Sequence, residues 1–352
     1  MVTLGTGLSG EEAIRLAELI RTLPVNPLAA MQARSLIASD PPVHGPMRSL
    51  VNRGFTPRRI AALEPRVRAI ARTALAAVEE KGELELMGDF AIPLPVTVIA
   101  ELLGVEPDRT DDFKRWSDSA VAGATGAAVG HTAETLLRSF AELSAYMMSV
   151  MEERRRAPRE DLISTLTRAE SGETALTPTE VVMFTLLLLV AGNETTTNLL
   201  GNTMLALLAN PDQLALVQRE PARIPALVEE ALRYDGPIQF LVREAVQDTE
   251  IAGFEIPKGS VVLPLLGSAN RDDAQFPNAQ RFDVARAPQG HLAFGFGNHF
   301  CLGASLARLE ARVALEELLA RFSRFERLDD RVEYIDSFLV RGIRRLPLRV
   351  EA

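Results

Sequence analysis

A mainly α-helical fold with a minor β portion is predicted, on three observations. Apolar residues recur at three-to-four spacing through most of the first two thirds of the chain. A helix-start signal, Thr177-Pro178-Thr179-Glu180, opens a stretch that no proline interrupts before Asn210-Pro211. Only beyond residue 240 does the texture change to β-branched alternation with turn signals.

Taken in order, Glu11 to Leu23 and Pro57 to Glu80 carry the helical period. Leu84 to Val105, Arg109 to Ala122 and Ala133 to Arg155 continue it after short breaks. Thr177 offers an N-cap, Pro178 the first helical position and Glu180 the third. The helix that follows should run about 50 Å at 1.5 Å per residue and cross the core. Another is expected from Ile224 to Tyr234. Phe240 to Leu266, punctuated by Gly253 and Pro257-Lys258-Gly259, reads as short strands. Asn270 to Gln289 is polar and rich in Pro, Asp and Arg, and reads as an irregular meander. A helix resumes from Leu302 to Phe322, with Leu302, Leu306, Leu309 and Val313 on one face. Arg324 to Val350 alternates like hairpin strands.

The 352 residues exceed a prior of about 150 per domain, but no linker or repeat interrupts them, so a single domain over 1–352 is expected. Hydrophobic residues at 47% and charged ones at 24% exclude disorder as the dominant state. One cysteine excludes an internal disulfide framework. A net charge of −9 argues against nucleic-acid binding. The most apolar run, Val181 to Ala191, is short of the ~20 residues a membrane helix needs. The opening Met1-Val2-Thr3-Leu4 does not read as a secretory signal. A soluble cytoplasmic protein is expected, with no membrane.

The lone cysteine lies in Phe294-Gly295-Phe296-Gly297-Asn298-His299-Phe300-Cys301-Leu302-Gly303, a glycine-punctuated loop that feeds a helix. A helix N-terminus favours a thiolate through its unpaired N–H groups and dipole. Glycines let the backbone approach a flat object, and Phe294, Phe296 and Phe300 add apolar surface. A thiolate is one of the axial ligands of haem iron. A lone cysteine is ordinarily a small buried core residue; the loop around it argues otherwise. Competing sites fail on spacing. A dinucleotide fingerprint from Gly295 needs glycine where Phe300 stands. A zinc site from His291, His299 and Cys301 lacks paired ligand spacing.

Two segments upstream add chemistry. Glu230-Ala231-Leu232-Arg233 places acid and arginine three apart, on one helix face. Ala191-Gly192-Asn193-Glu194-Thr195-Thr196 sets a glycine, costing about 1 kcal/mol against alanine, beside an acid and hydroxyls in mid-helix. A threonine bonding back to the preceding turn can open such a helix.

The cysteine loop resembles the haem-binding signature of the cytochrome P450 superfamily, in its bacterial form with histidine two before the cysteine. Every signature position matches. Glu230 and Arg233 look like the family's Glu-x-x-Arg pair, and Arg286 fits the third arginine that joins it from the meander. The segment from Ala191 resembles the oxygen-activation motif, in which Thr195 would bond dioxygen and Glu194 would relay protons. The resemblance implies haem b (iron protoporphyrin IX) ligated by Cys301 and cradled by Phe294, Gly295, Gly303 and Ala191. His299, Arg243, His44 and Arg48 are the implied propionate partners. His44 and Arg48 keep the family's spacing, with Gly45-Pro46 a departure from its pattern.

The resemblance implies a P450 fold lacking the usual N-terminal helix and first strand or strands, of which only Val2 to Thr6 could supply a piece. It implies a monomeric monooxygenase of bacterial secondary metabolism. One atom of O₂ would enter an apolar small molecule, with Phe240, Leu241, Phe338 and Leu339 as pocket candidates. Electrons from NAD(P)H would arrive through a separate ferredoxin and ferredoxin reductase. A peroxide-driven enzyme would not need the acid–alcohol pair, and a non-catalytic haem-binding homologue is the other alternative. From His44 to Arg72, seven arginines (48, 53, 58, 59, 66, 68 and 72) face the single acid Glu64. In the family the equivalent region lies beside the cysteine loop, where acidic ferredoxins dock.

Overall fold

The computed structural model describes residues 18–21, 23–79, 81–125, 133–168, 175–286 and 288–352. The strand expected from Val2 to Thr6 and most of the helix expected from Glu11 lie outside the described residues. Contacts divide the chain into two units, 1–56 with 96–191 and 57–95 with 192–352.

The first unit is helical. Thr110–Thr125 packs on Ala133–Arg156, which also meets Leu162–Thr167 and Pro178–Leu188. Phe113, Trp116, Leu143, Met147, Met151 and Ile163 fill its interior. The expected cap is present at Thr177: its hydroxyl accepts from the Glu180 N–H at 3.2 Å and the Glu180 carboxylate accepts from the Thr177 N–H at 2.7 Å. Arg34 then forks the same carboxylate, its Nε 2.6 Å from Oε1. Helix His44–Asn52 keeps Pro46 in its first turn, where proline lacks only an N–H that has no helical partner.

The second unit carries four longer helices: α1 (Glu64–Glu79), α2 (Glu194–Ala209), α3 (Ile224–Asp235) and α4 (Ala304–Arg321). Helix α4 packs against the other three and against the short helix Pro57–Ala62. Strands are small: β1 (Glu83–Glu85), β2 (Arg243–Glu244), β3 (Thr249–Ile251), β4 (Phe254–Ile256), β5 (Val261–Val262), β6 (Arg324–Arg327) and β7 (Pro347–Glu351). Among the described residues they form three antiparallel sheets, β1-β7-β6, β2-β5 and β3-β4. The meander holds one short 3₁₀ turn, Val284–Arg286.

Three expectations are corrected. The helix expected over Pro57–Glu80 breaks at Leu63, because Pro65 can enter only the first turn of a new helix. Leu84–Val105 is not one helix. Leu84 pairs with Leu348 in the sheet, and the Glu85 carboxylate caps the N–H groups of Met87 and Gly88 to start a π-helical turn, Leu86–Ala91. Helix Pro93–Leu103 follows. The 18-residue stretch Leu86–Leu103 has the length and mean hydropathy (1.6) of a membrane span, yet 61% of it is buried inside the protein. Finally, the long helix changes pitch: Pro178–Leu188 passes through a π-helical turn, Leu189–Asn193, before α2 begins at Glu194. Such turns concentrate at functional sites.

Candidate active site

The site is built outward from a buried ion pair. Glu230 and Arg233, one turn apart on α3, are both shut off from solvent. Arg233 forks the carboxylate with two bonds of 2.8 Å and spends its other donors on the carbonyls of Asn270, Ala279 and Arg281. Glu230 also accepts from the Asp283 N–H at 2.8 Å and from Arg286 Nε at 3.2 Å. Arg286 in turn holds the carbonyls of Pro277 and Asn278. A buried pair is tolerable only when its remaining donors and acceptors are satisfied, and here the meander satisfies them. Asn270 carries the order onward: its side-chain oxygen accepts the Leu292 N–H at 2.7 Å, at the entrance to the cysteine loop.

That loop folds back on itself. Gly295 N–H bonds Leu292 O at 2.9 Å, Phe300 N–H bonds Gly297 O at 3.0 Å, and Cys301 N–H bonds Phe294 O at 2.9 Å. Gly295 and Gly297 have φ of 70° and 76°, a region that side chains with a Cβ rarely enter. Helix α4 starts at Ala304, with Gly303 as N-cap, so Leu302 precedes the helix rather than opening it. Cys301 is half-buried and forms no disulfide.

The pocket candidates converge beside the loop. Phe240 and Phe338 stack with centroids 5.5 Å apart, and the Gln239 N–H bonds Leu339 O at 3.0 Å. Leu241 bonds the Pro264 carbonyl through its N–H, and its Cδ1 would lie 3.8 Å from a Cβ placed on Gly295. Phe338 is 85% exposed, and Val242, Leu263 and Leu265 are also bare. Arg243, on β2, is exposed, donates to the Val242 carbonyl and has no carboxylate partner among the described residues. His299 lies in the 3₁₀ turn Gly297–His299.

Helix α2 presents the acid and alcohols. Glu194 and Thr195 are half-buried at its start. The Asn198 side-chain amide donates to the Glu194 carbonyl at 2.8 Å and to its carboxylate at 3.0 Å. Asn198 itself is fixed by close approach, since a Cβ on Gly342 would fall 1.8 Å from its Oδ1. Thr196 faces α4, where its hydroxyl bonds the wholly buried Glu310. Burial pushes the Glu310 carboxyl up to about 8 against that hydrogen bond. Its other oxygen, Oε1, has no partner among the described residues. Asn198, Asn270 and Glu310 escaped the sequence reading; only the i,i+4 spacing of Glu194 and Asn198 signalled one of them.

Three candidates belong to the first unit. His44, buried, and Arg48 sit one turn apart on their helix, where Arg48 Nε donates to Asn52 Oδ1 at 3.1 Å. Ala191 is exposed in the π-helical turn.

The residues of the second unit suit a haem. Among the described residues no three His, Cys, Asp or Glu side chains gather to hold a metal ion, so the donor set is a single thiolate. One thiolate suits a metal whose other in-plane ligands arrive with a macrocycle. Space is open beside the loop: a Cβ on Gly297 or Gly303 would meet nothing within 4 Å. Bare aliphatic side chains and the exposed Arg243 offer an apolar face with a cation, as an amphipathic ring system with carboxylates requires.

Comparison with known proteins agrees. The family model described as cytochrome P450 matches residues 128–347. The 6-deoxyerythronolide B hydroxylase of Saccharopolyspora erythraea is 41% identical over 322 residues, 91% of this chain and 78% of that protein. The structure of cytochrome P450 CYP109Q5 from Chondromyces apiculatus superposes with a TM-score of 0.85 at 47% identity, covering 96% of this chain and 83% of that one. CYP109E1 from Bacillus megaterium, in complex with corticosterone, gives 0.84 at 39% identity, covering 90% and 85%.

Proposed function

The chain belongs to the cytochrome P450 family of haem-binding monooxygenases, and from that premise we propose that the Cys301 thiolate would ligate the iron of haem b in one catalytic domain spanning 1–352. The reaction is RH + O₂ + 2e⁻ + 2H⁺ → ROH + H₂O, or the matching epoxidation of an alkene. The observation that carries this reading is the cysteine loop: a lone cysteine in a glycine turn, open at Gly297 and Gly303, with Leu241 beside Gly295.

When bound, the haem supplies dioxygen binding and the oxidising power for C–H attack. The protein's residues supply the rest. Arg243 and His299 would hold the propionates and Phe294, Gly295 and Gly303 would border the ring; the family resemblance gives His44 and Arg48 the same propionate role and Ala191 a place at the ring. Glu194, aimed by the Asn198 amide, takes protons from solvent at its carboxylate oxygen and passes them inward. The Thr195 hydroxyl would offer a hydrogen bond where dioxygen binds, which would favour water over peroxide as the reduced product. Phe240, Leu241, Phe338 and Leu339 exclude water and bind apolar surface.

The substrate is a neutral apolar molecule of bacterial secondary metabolism, of macrolactone or steroid size. The hydroxylase name of one relative and the corticosterone complex of another support that class. In the first unit a cavity of about 480 Å³, lined by Leu36, Met47, Phe140, Leu143, Phe184 and Val190, has the volume and apolar character of a small-ligand site. Electrons come from a separate ferredoxin and reductase in the cytoplasm. The test is optical. Reduced protein with carbon monoxide should give the red-shifted Soret band of a thiolate ligand, and Cys301→Ser should lose it. A wild type with only a histidine-type carbonyl spectrum refutes the assignment.

A further inference from the structure

We propose that Glu229, Arg308 and His291 form a clamp that positions Phe294 and, through it, the Cys301 thiolate. The proposal rests on the haem-thiolate reading above. Glu229 precedes Glu230 on α3, and consecutive helical residues point about 100° apart. The two acids therefore hold different things. Glu230 holds the meander, whereas Glu229 faces the cysteine loop and α4.

The contacts are continuous. Arg308, about one turn into α4 and seven residues past Cys301, forks Glu229 with Nε 2.6 Å from Oε1 and a terminal nitrogen 2.9 Å from Oε2. His291 Nε2 stands 3.0 Å from the same Oε2. Its Nδ1 accepts the Ala293 N–H at 3.3 Å, which leaves Nε2 to donate to the carboxylate. Burial pushes the Glu229 carboxyl up, but the bonds from His291 and Arg308 outweigh it and hold the carboxyl down at about 2. The acid is thus an anion wherever the enzyme would work. The Arg308 guanidinium then lies 4.5 Å from the centre of the Phe294 ring, where a flat cation is attracted to the π face. Phe294 supplies the carbonyl that receives the Cys301 N–H at 2.9 Å.

The loop needs such a tie. Two glycines at positive φ give it alternative backbone states that a side-chain anchor must suppress. Groups that orient a ligand commonly tune a metal as strongly as the ligand itself. A fork with a second donor on one carboxylate is rigid, unlike an ordinary surface ion pair.

The experiment uses the haem-loaded protein and three readings: haem per chain, the fraction of reduced carbonyl complex with the red-shifted Soret band, and the midpoint reduction potential. Arg308→Lys keeps the charge but loses the fork and the flat face. Glu229→Gln keeps the shape but loses the charge. Each should raise the fraction with an unshifted band several-fold and move the potential, with haem content near wild type. The double variant should be no worse than the worse single, because both act through one contact. Should Arg308→Lys lose haem altogether, Phe294→Leu decides: with the ring gone, Glu229→Gln should have no further effect on the band. Variants with the wild-type band and potential overturn the clamp while leaving the haem-thiolate reading intact. A wild type without the red-shifted band defeats that reading itself.

Discussion

Glu310 is a carboxylic acid buried within the protein, bonded through one oxygen to Thr196 of the helix that bears Glu194 and Thr195. Its carboxyl, pushed by burial to about 8, has an ordinary value of 4.5. An acid raised on folding stabilises the fold fully below its unfolded value and loses that contribution as pH rises towards its folded one. Wild-type stability should therefore decline between about pH 5 and 8, by at most about 1.4 kcal/mol per pH unit from this group. Glu310→Gln removes the ionisation, so its melting temperature should gain on the wild type across that range. Parallel pH curves would show that Glu310 is charged in the folded protein. The buried Glu230–Arg233 pair was legible only in combination, since Glu-x-x-Arg is common by chance and gained its meaning from the cysteine loop downstream. Glu310, Asn270 and Asn198 were not. An acid or amide in a helix or loop acquires its meaning from partners such as Thr196, Leu292 or Gly342, which only the fold brings near.

The π-helical turn Leu189–Asn193 changes the pitch of the long helix just ahead of Glu194 and Thr195. A regular helix was expected there, since no proline interrupts it, and the mid-helix glycine, acid and hydroxyls were the only warning. Strand β1 was misread as helix because Leu84 and Leu86 suit either period, and its partner strand lies at the far end of the sequence. The alignment of Glu194 depends on this wider frame. Asn198 grips its carboxylate, and the backbone at Gly342 presses on Asn198 so closely that no side chain fits. Gly342→Ala should therefore displace the amide and lower product formed per NADH consumed, with haem content retained. Thr195→Ala should lower the same ratio several-fold. Full coupling in a haem-loaded Gly342→Ala protein would separate Asn198 from the proton path.

Charge is the property that sequence-local counting handled worst. Charges pair across α1 and α4: Arg68 bonds Glu64 of its own helix and Glu316 and Glu317 of α4, Arg72 bonds Glu317, and Arg312 of α4 bonds Glu64 and Glu316. The inner arginines are thereby neutralised in packing α1 on α4. Arg58 remains exposed on Pro57–Ala62, a helix that packs on α4 and so adjoins the element fed by the cysteine loop. If an acidic ferredoxin docks there, Arg58→Glu with Arg59→Glu should slow reduction of the haem while substrate binding persists. The wild-type rate should also fall as salt rises, since complementary charge acts through encounter and is screened over about 8–10 Å. A rate indifferent to both would move the docking surface elsewhere. The pairing of β1 with β7 bears on biosynthesis as well. Leu84 leaves the ribosome early and Leu348 late, with the 96–191 excursion made in between. Segment 57–95 must therefore wait, with Leu84 and its neighbours uncovered, until Leu348 has been made. That long interval leaves unpaired apolar chain exposed to aggregation, the cost of pairing strands so far apart in sequence.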